Sequence, residues 1–178
     1  MLIVVGSRRD GNSCYLAKFV QRELDKDRIH TDIIVPGNQR IHICTGCMDC
    51  DKSGVCDFTD DMKENIELLK KENVVMFITP VRWNLLSGDL KIFMDRLNPM
   101  YSTRGLCGKK AIVVAIGAKP KDVYSSFEAC SSLRSFVEAA GMECVASWNF
   151  DDCKDADDLE GKANELQAFM ESVRKNCI

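Results

Sequence analysis

Met1-Leu-Ile-Val-Val-Gly-Ser-Arg-Arg-Asp-Gly-Asn-Ser13 decides the fold. Its first half is a continuous apolar run, Leu2 to Val5, that stops at Gly6. So short a run with no polar alternation fits a strand buried on both faces, as in a parallel sheet. The second half is small and polar, and a helical stripe of Leu16, Phe19, Val20 and Leu24 follows at once. Strand, tight polar loop and amphipathic helix make the opening unit of a parallel α/β domain.

The rest of the chain repeats that unit. Further strands are expected over 31–35, 74–79, 111–117 and 142–148, the third stopped by Pro80. Helical stripes follow at Met62, Ile66 and Leu69, and at Leu86, Leu90, Phe93, Met94 and Leu97. Two more run through Phe127, Cys130, Leu133, Val137 and Ala140, and through Leu159, Ala163, Leu166, Met170 and Val173. Asp60 and Asp61 open the second helix, acids at the positive end of its dipole. The acidic run from Asp151 to Glu160 reads as the solvated entry to the last helix, with Asp155 or Asp157 as its cap. Five strands joined by helical crossovers predict a three-layer α/β fold, a doubly wound parallel sheet of the flavodoxin-like order 2-1-3-4-5. A single domain over 1–178 is expected, with a cysteine-rich loop at 43–59.

The chain has 178 residues, enough for one full core. Its net charge is −3 and its basic residues are scattered as pairs, so nothing argues for nucleic acid or a membrane surface. No apolar run reaches the length of a membrane span, and the first strand is too short for a signal segment. A reducing cytoplasm is therefore expected, with the ten cysteines as thiols, metal ligands or redox groups. Cys14, Cys107, Cys130, Cys144, Cys153 and Cys177 share no ligand spacing and read as small hydrophobes or incidental thiols.

In this architecture ligands bind outside the carboxyl ends of the strands, where the strand order reverses. The first loop there brings Ser7, Arg8, Arg9, Asn12 and Ser13 to a helix N-terminus, a phosphate site by composition. The plainer reading is a polar turn with serine as N-cap. It is neither the dinucleotide fingerprint nor a P-loop. The second loop, 79–88, lays Val81, Arg82, Trp83 and Asn84 over the pocket; Trp83 is either a wall for a flat ligand or an ordinary partly buried aromatic. The third loop offers Gly117 for backbone freedom and Tyr124 as a cover, or is a plain β–α connection.

Cys44, Cys47, Cys50 and Cys56 are spaced C-x2-C-x2-C-x5-C. Close thiolates with one more distant suit the corners of an iron–sulfur cubane. Zinc, a redox disulfide and a loop without metal are the competing readings.

The three loops together resemble the NADPH-dependent FMN reductase family of flavodoxin-like proteins, in its iron–sulfur flavoprotein branch. Gly6 to Ser13 is similar to that family's flavin-phosphate loop. Thr79-Pro-Val-Arg-Trp-Asn and Ser87-Gly-Asp-Leu-Lys-Ile-Phe-Met-Asp-Arg96 are similar to its ring-binding block, and Cys44 to Cys56 before Asp60-Asp61-Met62 to its cysteine segment. Arg8 stands where that pattern has proline, and Arg82 where it has tyrosine. The resemblance implies that Ser7, Arg9, Asn12 and Ser13 hold the FMN phosphate, and that Pro80, Val81, Arg82 and Trp83 line the ring edge. It also implies a homodimer or homotetramer with the helix 87–96 at an interface.

The expected function is an FMN-dependent oxidoreductase that takes electrons from NAD(P)H or a protein donor. It would pass them through FMN and a 4Fe–4S cluster to a small-molecule or protein acceptor. The alternative is an NAD(P)H-dependent FMN or quinone reductase using FMN alone. A non-catalytic binding module on the same fold is the third possibility.

Overall fold

The computed structural model describes residues 1–123 and 125–177. Its strands are β1 (Leu2–Val5), β2 (Asp32–Ile34), β3 (Val74–Pro80), β4 (Lys110–Ile116) and β5 (Glu143–Phe150). They pair in parallel in the order β2-β1-β3-β4-β5, the flavodoxin-like arrangement. The order reverses between β1 and β3, so the loops that follow these strands diverge around a crevice.

The helices are α1 (Asn12–Lys26), α2 (Asp49–Ser53), α3 (Met62–Lys71), α4 (Gly88–Asp95), α5 (Asn98–Ser102), α6 (Phe127–Ala139) and α7 (Ala163–Cys177). Strand side chains alternate between two cores. Leu2, Val4, Phe77 and Val113 meet Leu69 of α3, Phe93 of α4 and Leu133 of α6 on one face. Ile3, Val5, Ile78 and Val114 meet Leu16 and Val20 of α1 and Phe169 of α7 on the other. Each fully buried aliphatic side chain stabilises by roughly 1.5–3 kcal/mol relative to its exposed state. Cys130 and Cys153 belong to these cores, and burial pushes their thiols up to about 11 and about 12. They remain protonated at neutral pH and pack as small apolar groups.

The structure departs from the sequence reading near the chain end. Helix α7 starts at Ala163, so neither Asp155 nor Asp157 caps it. Leu159 is fully buried, but it packs from a turn before the helix. The apolar period was carried by a residue whose backbone is not helical. Two short helices that no periodicity announced are also present, α2 within the cysteine segment and α5 after α4, with the Ser102 hydroxyl of α5 donating to the Cys50 carbonyl of α2 at 3.0 Å.

One buried ion pair anchors that segment. Arg96, just after α4, and Asp60, just before α3, have side chains 1% and 0% exposed and approach to 2.6 Å. The guanidinium also donates to the His42 carbonyl at 2.8 Å and lies 5.0 Å from the Phe58 ring centre. His42 stacks on Phe58 and bonds the same carboxylate through its amide and ring. Burial pushes the Asp60 carboxyl up, but Arg96, His42 and the Met62 amide outweigh it and hold the group well below the usual carboxylate range. A carboxyl lowered by folding stabilises fully above its unfolded value near ~4 and loses that contribution as pH falls through the folded value. Asp60→Ala leaves the guanidinium buried without its counterion, and is expected to cost about 3–5 kcal/mol at neutral pH. Urea unfolding of both proteins across pH measures this; the gap should narrow below about pH 4, and equal stability at neutral pH would refute the anchor.

Candidate functional site

The first loop turns under a steric constraint. The Gly6 amide donates to the Ile78 carbonyl at 2.8 Å. A Cβ on Gly6 would stand 2.5 Å from the Ser87 hydroxyl and 2.9 Å from the Leu90 Cβ. No side chain fits there, so β1 ends tight against β3 and the start of α4. Thr79 reinforces the junction by accepting from the Ser87 amide at 3.0 Å.

The two arginines of this loop part company. Arg8 reaches sideways to Asp89 of α4, with contacts of 2.6 and 3.2 Å. Gly37 must lack a side chain to admit that pair, since a Cβ would lie 2.5 Å from Asp89 Oδ2. Arg9 has no ion-pair partner among the described residues and borders the strand-end cleft. Gly11 leads into α1 without a side-chain cap, so among the described residues the first-turn amides stay free at the positive end of a 15-residue helix. Ser7 and Ser13 border the same cleft. These features fit a phosphate group.

Asn12 also borders the cleft, but its amide is engaged elsewhere. It donates to the carbonyls of Cys153 at 3.3 Å and Asp155 at 2.6 Å, and accepts from the Leu159 amide at 3.0 Å. The segment after β5 is thereby drawn over the end of α1, and Lys154, Asp155 and Ala156 complete the wall. By composition alone this acidic stretch reads as a solvated helix entry. Its role depends on bonds from a residue far away in the chain, which no local pattern reveals.

The second loop is a hairpin turn. Arg82 and Leu85 exchange amide bonds of 2.8 and 2.9 Å around Trp83 and Asn84, whose φ angles are +50° and +61°. Two consecutive left-handed residues define a type I′ turn. Neither Gly nor the usual Asn-Gly pair announced it. Pro80, Val81 and Arg82 line the cleft, whereas Trp83 stands at the tip and is 98% exposed. The amides of Trp83 and Asn84 make no hydrogen bond among the described residues, leaving two donors at the mouth.

The cleft holds about 90 Å³. That admits a phosphate and not a drug-sized ligand, which takes roughly 300 Å³ or more. A wider groove of about 590 Å³ lies beyond the turn, lined in part by Asn84, Lys121, Val123 and Phe127. Gly117 borders neither cavity; its carbonyl accepts from the Cys153 amide at 2.9 Å, and a Cβ would meet Asp151 at 3.1 Å. Tyr124 lies outside the described residues.

The cysteines are not gathered. Among the described residues no three His, Cys, Asp or Glu side chains are placed to hold one metal ion. Cys50 is buried and its sulfur receives the Asn98 amide at 3.1 Å, while Cys47 is exposed. Left-handed Gly46, Met48 and Gly54 set the loop's corners. As folded here, the described loop presents no such metal-binding group, and its shape is held by protein contacts.

A family model described as NADPH-dependent FMN reductase matches residues 1–154. The chain is 29% identical over 111 residues to an iron–sulfur flavoprotein of Methanocaldococcus jannaschii, covering 62% of this chain and 58% of that protein. It is 28% identical over 124 residues to an iron–sulfur flavoprotein of Archaeoglobus fulgidus, covering 67% and 56%. The chain thus spans somewhat more than half the length of these curated relatives. Among solved structures, the Trp repressor binding protein of Bacillus subtilis superposes with a TM-score of 0.69 at 19% identity, over 96% of this chain and 97% of that one. At that identity the likeness concerns the fold. The family match runs from β1 through Lys154 and so takes in the loops after β1 and β3 that line the cleft: the chain belongs to the NADPH-dependent FMN reductase family.

Proposed function

We propose that this protein is an NAD(P)H-dependent reductase that works with FMN alone and delivers electrons to free flavin or a quinone-type acceptor. The observation that carries the reading is the strand-end cleft, phosphate-sized and faced by free helix amides and Arg9. When bound, FMN supplies the two-electron chemistry between nicotinamide and acceptor.

The chain's part is placement and charge. Amides at the start of α1, with Ser7, Ser13 and Arg9, would hold the phosphate. Pro80, Val81 and Arg82 would flank the ring, and the free amides of Trp83 and Asn84 would donate to its polar edge. The wider groove past Asn84 would admit the second reactant. Neither His30 nor His42 lines the cleft; His30 sits beside Asp32 and His42 on Asp60. The residues present therefore orient and bind, and no imidazole among the described residues is placed to relay a proton. Exposed Trp83 and Leu85 next to the cleft support a homodimer or homotetramer that would cover them.

A second reading keeps the electron-relay cluster. It is favoured by the names of the curated relatives, which are iron–sulfur flavoproteins. It requires Cys44, Cys47, Cys50 and Cys56 to leave their present contacts and converge. Iron and labile sulfide measured on anaerobically purified protein separate the two. FMN bands without either are expected; about four irons per chain would overturn the cluster-free form.

Two further outcomes test the site. Arg9→Ala should weaken FMN binding about tenfold in a fluorescence titration, the worth of one charge-assisted contact; unchanged affinity would count against the phosphate assignment. Trp83→Gly should leave the fold equally stable or about 1 kcal/mol more so, because glycine relieves the left-handed backbone. The same variant should slow NAD(P)H oxidation, and an unaltered rate would remove the turn from the reaction.

A further inference from the structure

The segment after β5 is attached at both ends of its span. At one end the Asp152 amide donates to the Lys119 carbonyl and the Cys153 amide to the Gly117 carbonyl, each at 2.9 Å. At the other the Asn12 side chain takes hold of Asp155 and Leu159. Cys153 and Leu159 are buried, so the segment is nailed down by two apolar residues with a polar stretch between them. Asp152 holds a left-handed φ of +56°, which turns that stretch back across the cleft. Asp151, at the head of the segment, is itself fixed by the Ser126 amide at 2.7 Å.

We propose that residues 151–159 form a retaining strap for the flavin phosphate, latched by Asn12, with Lys154 as the cation that closes the cleft opposite Arg9. The inference rests on the FMN reading and extends it to a cofactor-holding element that lies outside the strand-end loops of β1, β3 and β4. Charge balance favours such a cation. Arg8 is taken by Asp89, and Asp155 brings a carboxylate to the same wall. Arg82 also lines the cleft but from the turn after β3; on the wall that carries Asp155, Lys154 is the cation that adds to Arg9 and the α1 amides in neutralising a phosphate. Asn12 then acts on the phosphate through the strap it positions.

Riboflavin provides the control, since it has the ring and the ribityl chain and lacks the phosphate. Affinities of the wild type, Lys154→Met and Asn12→Ala for FMN and for riboflavin are to be measured by fluorescence titration, with FMN release followed by stopped flow. Lys154→Met should weaken FMN about threefold to fivefold and leave riboflavin unchanged. Asn12→Ala should speed FMN release and make the segment at 151–159 cleavable by protease in an otherwise folded chain. Wild type that binds neither flavin would overturn the FMN reading and the strap with it. Wild type that prefers FMN, with both variants keeping the same preference and release rate, would overturn the strap alone. Equal losses for FMN and riboflavin would show damage to the whole pocket and likewise overturn it.

Discussion

Everything at the site depends on the burial of β1. Its four residues are 0% exposed and lie between β2 and β3, so the strand can neither shift nor fray. Gly6 passes that fixity on, because the backbone there touches Ser87 and Leu90 with no room for a methyl group. The loop after β1, the end of β3 and the start of α4 are thus one rigid corner. A parallel sheet covered on both faces leaves its unpaired polar groups at the strand ends, and this corner is where they are best placed to face a ligand.

Much of this was legible in the chain. Apolar runs bounded by Gly6 and Pro80 gave the strands, and stripes such as Leu16, Val20 and Leu24 gave the helices, because buried faces impose a period that local sequence records. The crevice followed from topology. Side-chain engagement was not legible. Arg8 and Arg9 are adjacent and chemically alike, yet one is spent on Asp89 and the other faces the cleft. Asn12 has the composition of a phosphate ligand and the geometry of a clasp. The turn at Trp83 and Asn84 carries none of the usual glycine signal, so only the backbone angles reveal it.

The cysteine segment shows the same limit. Spacing states what four thiols are able to reach, and not what else competes for them. Here Asn98 takes the Cys50 sulfur, and the Asp60–Arg96 pair fixes the flanks of the loop. Buried ions of this kind are costly to separate and tolerate few alternatives. They give the segment a defined shape, and any convergence of the cysteines would start from that shape.

The Asn12 clasp joins residues 147 positions apart to the chain's closing stretch. Contacts of such long range form late, because the intervening chain has to be ordered first. During synthesis the first strand, its loop and α1 emerge from the ribosome long before β5 and the strap. The corner around Gly6 needs β3 and the start of α4 in place, and Asp155 and Leu159 can be clasped onto it only afterwards. Chain order thus separates the corner from its clasp: opening the cleft again means breaking contacts between residues that lie far apart in sequence.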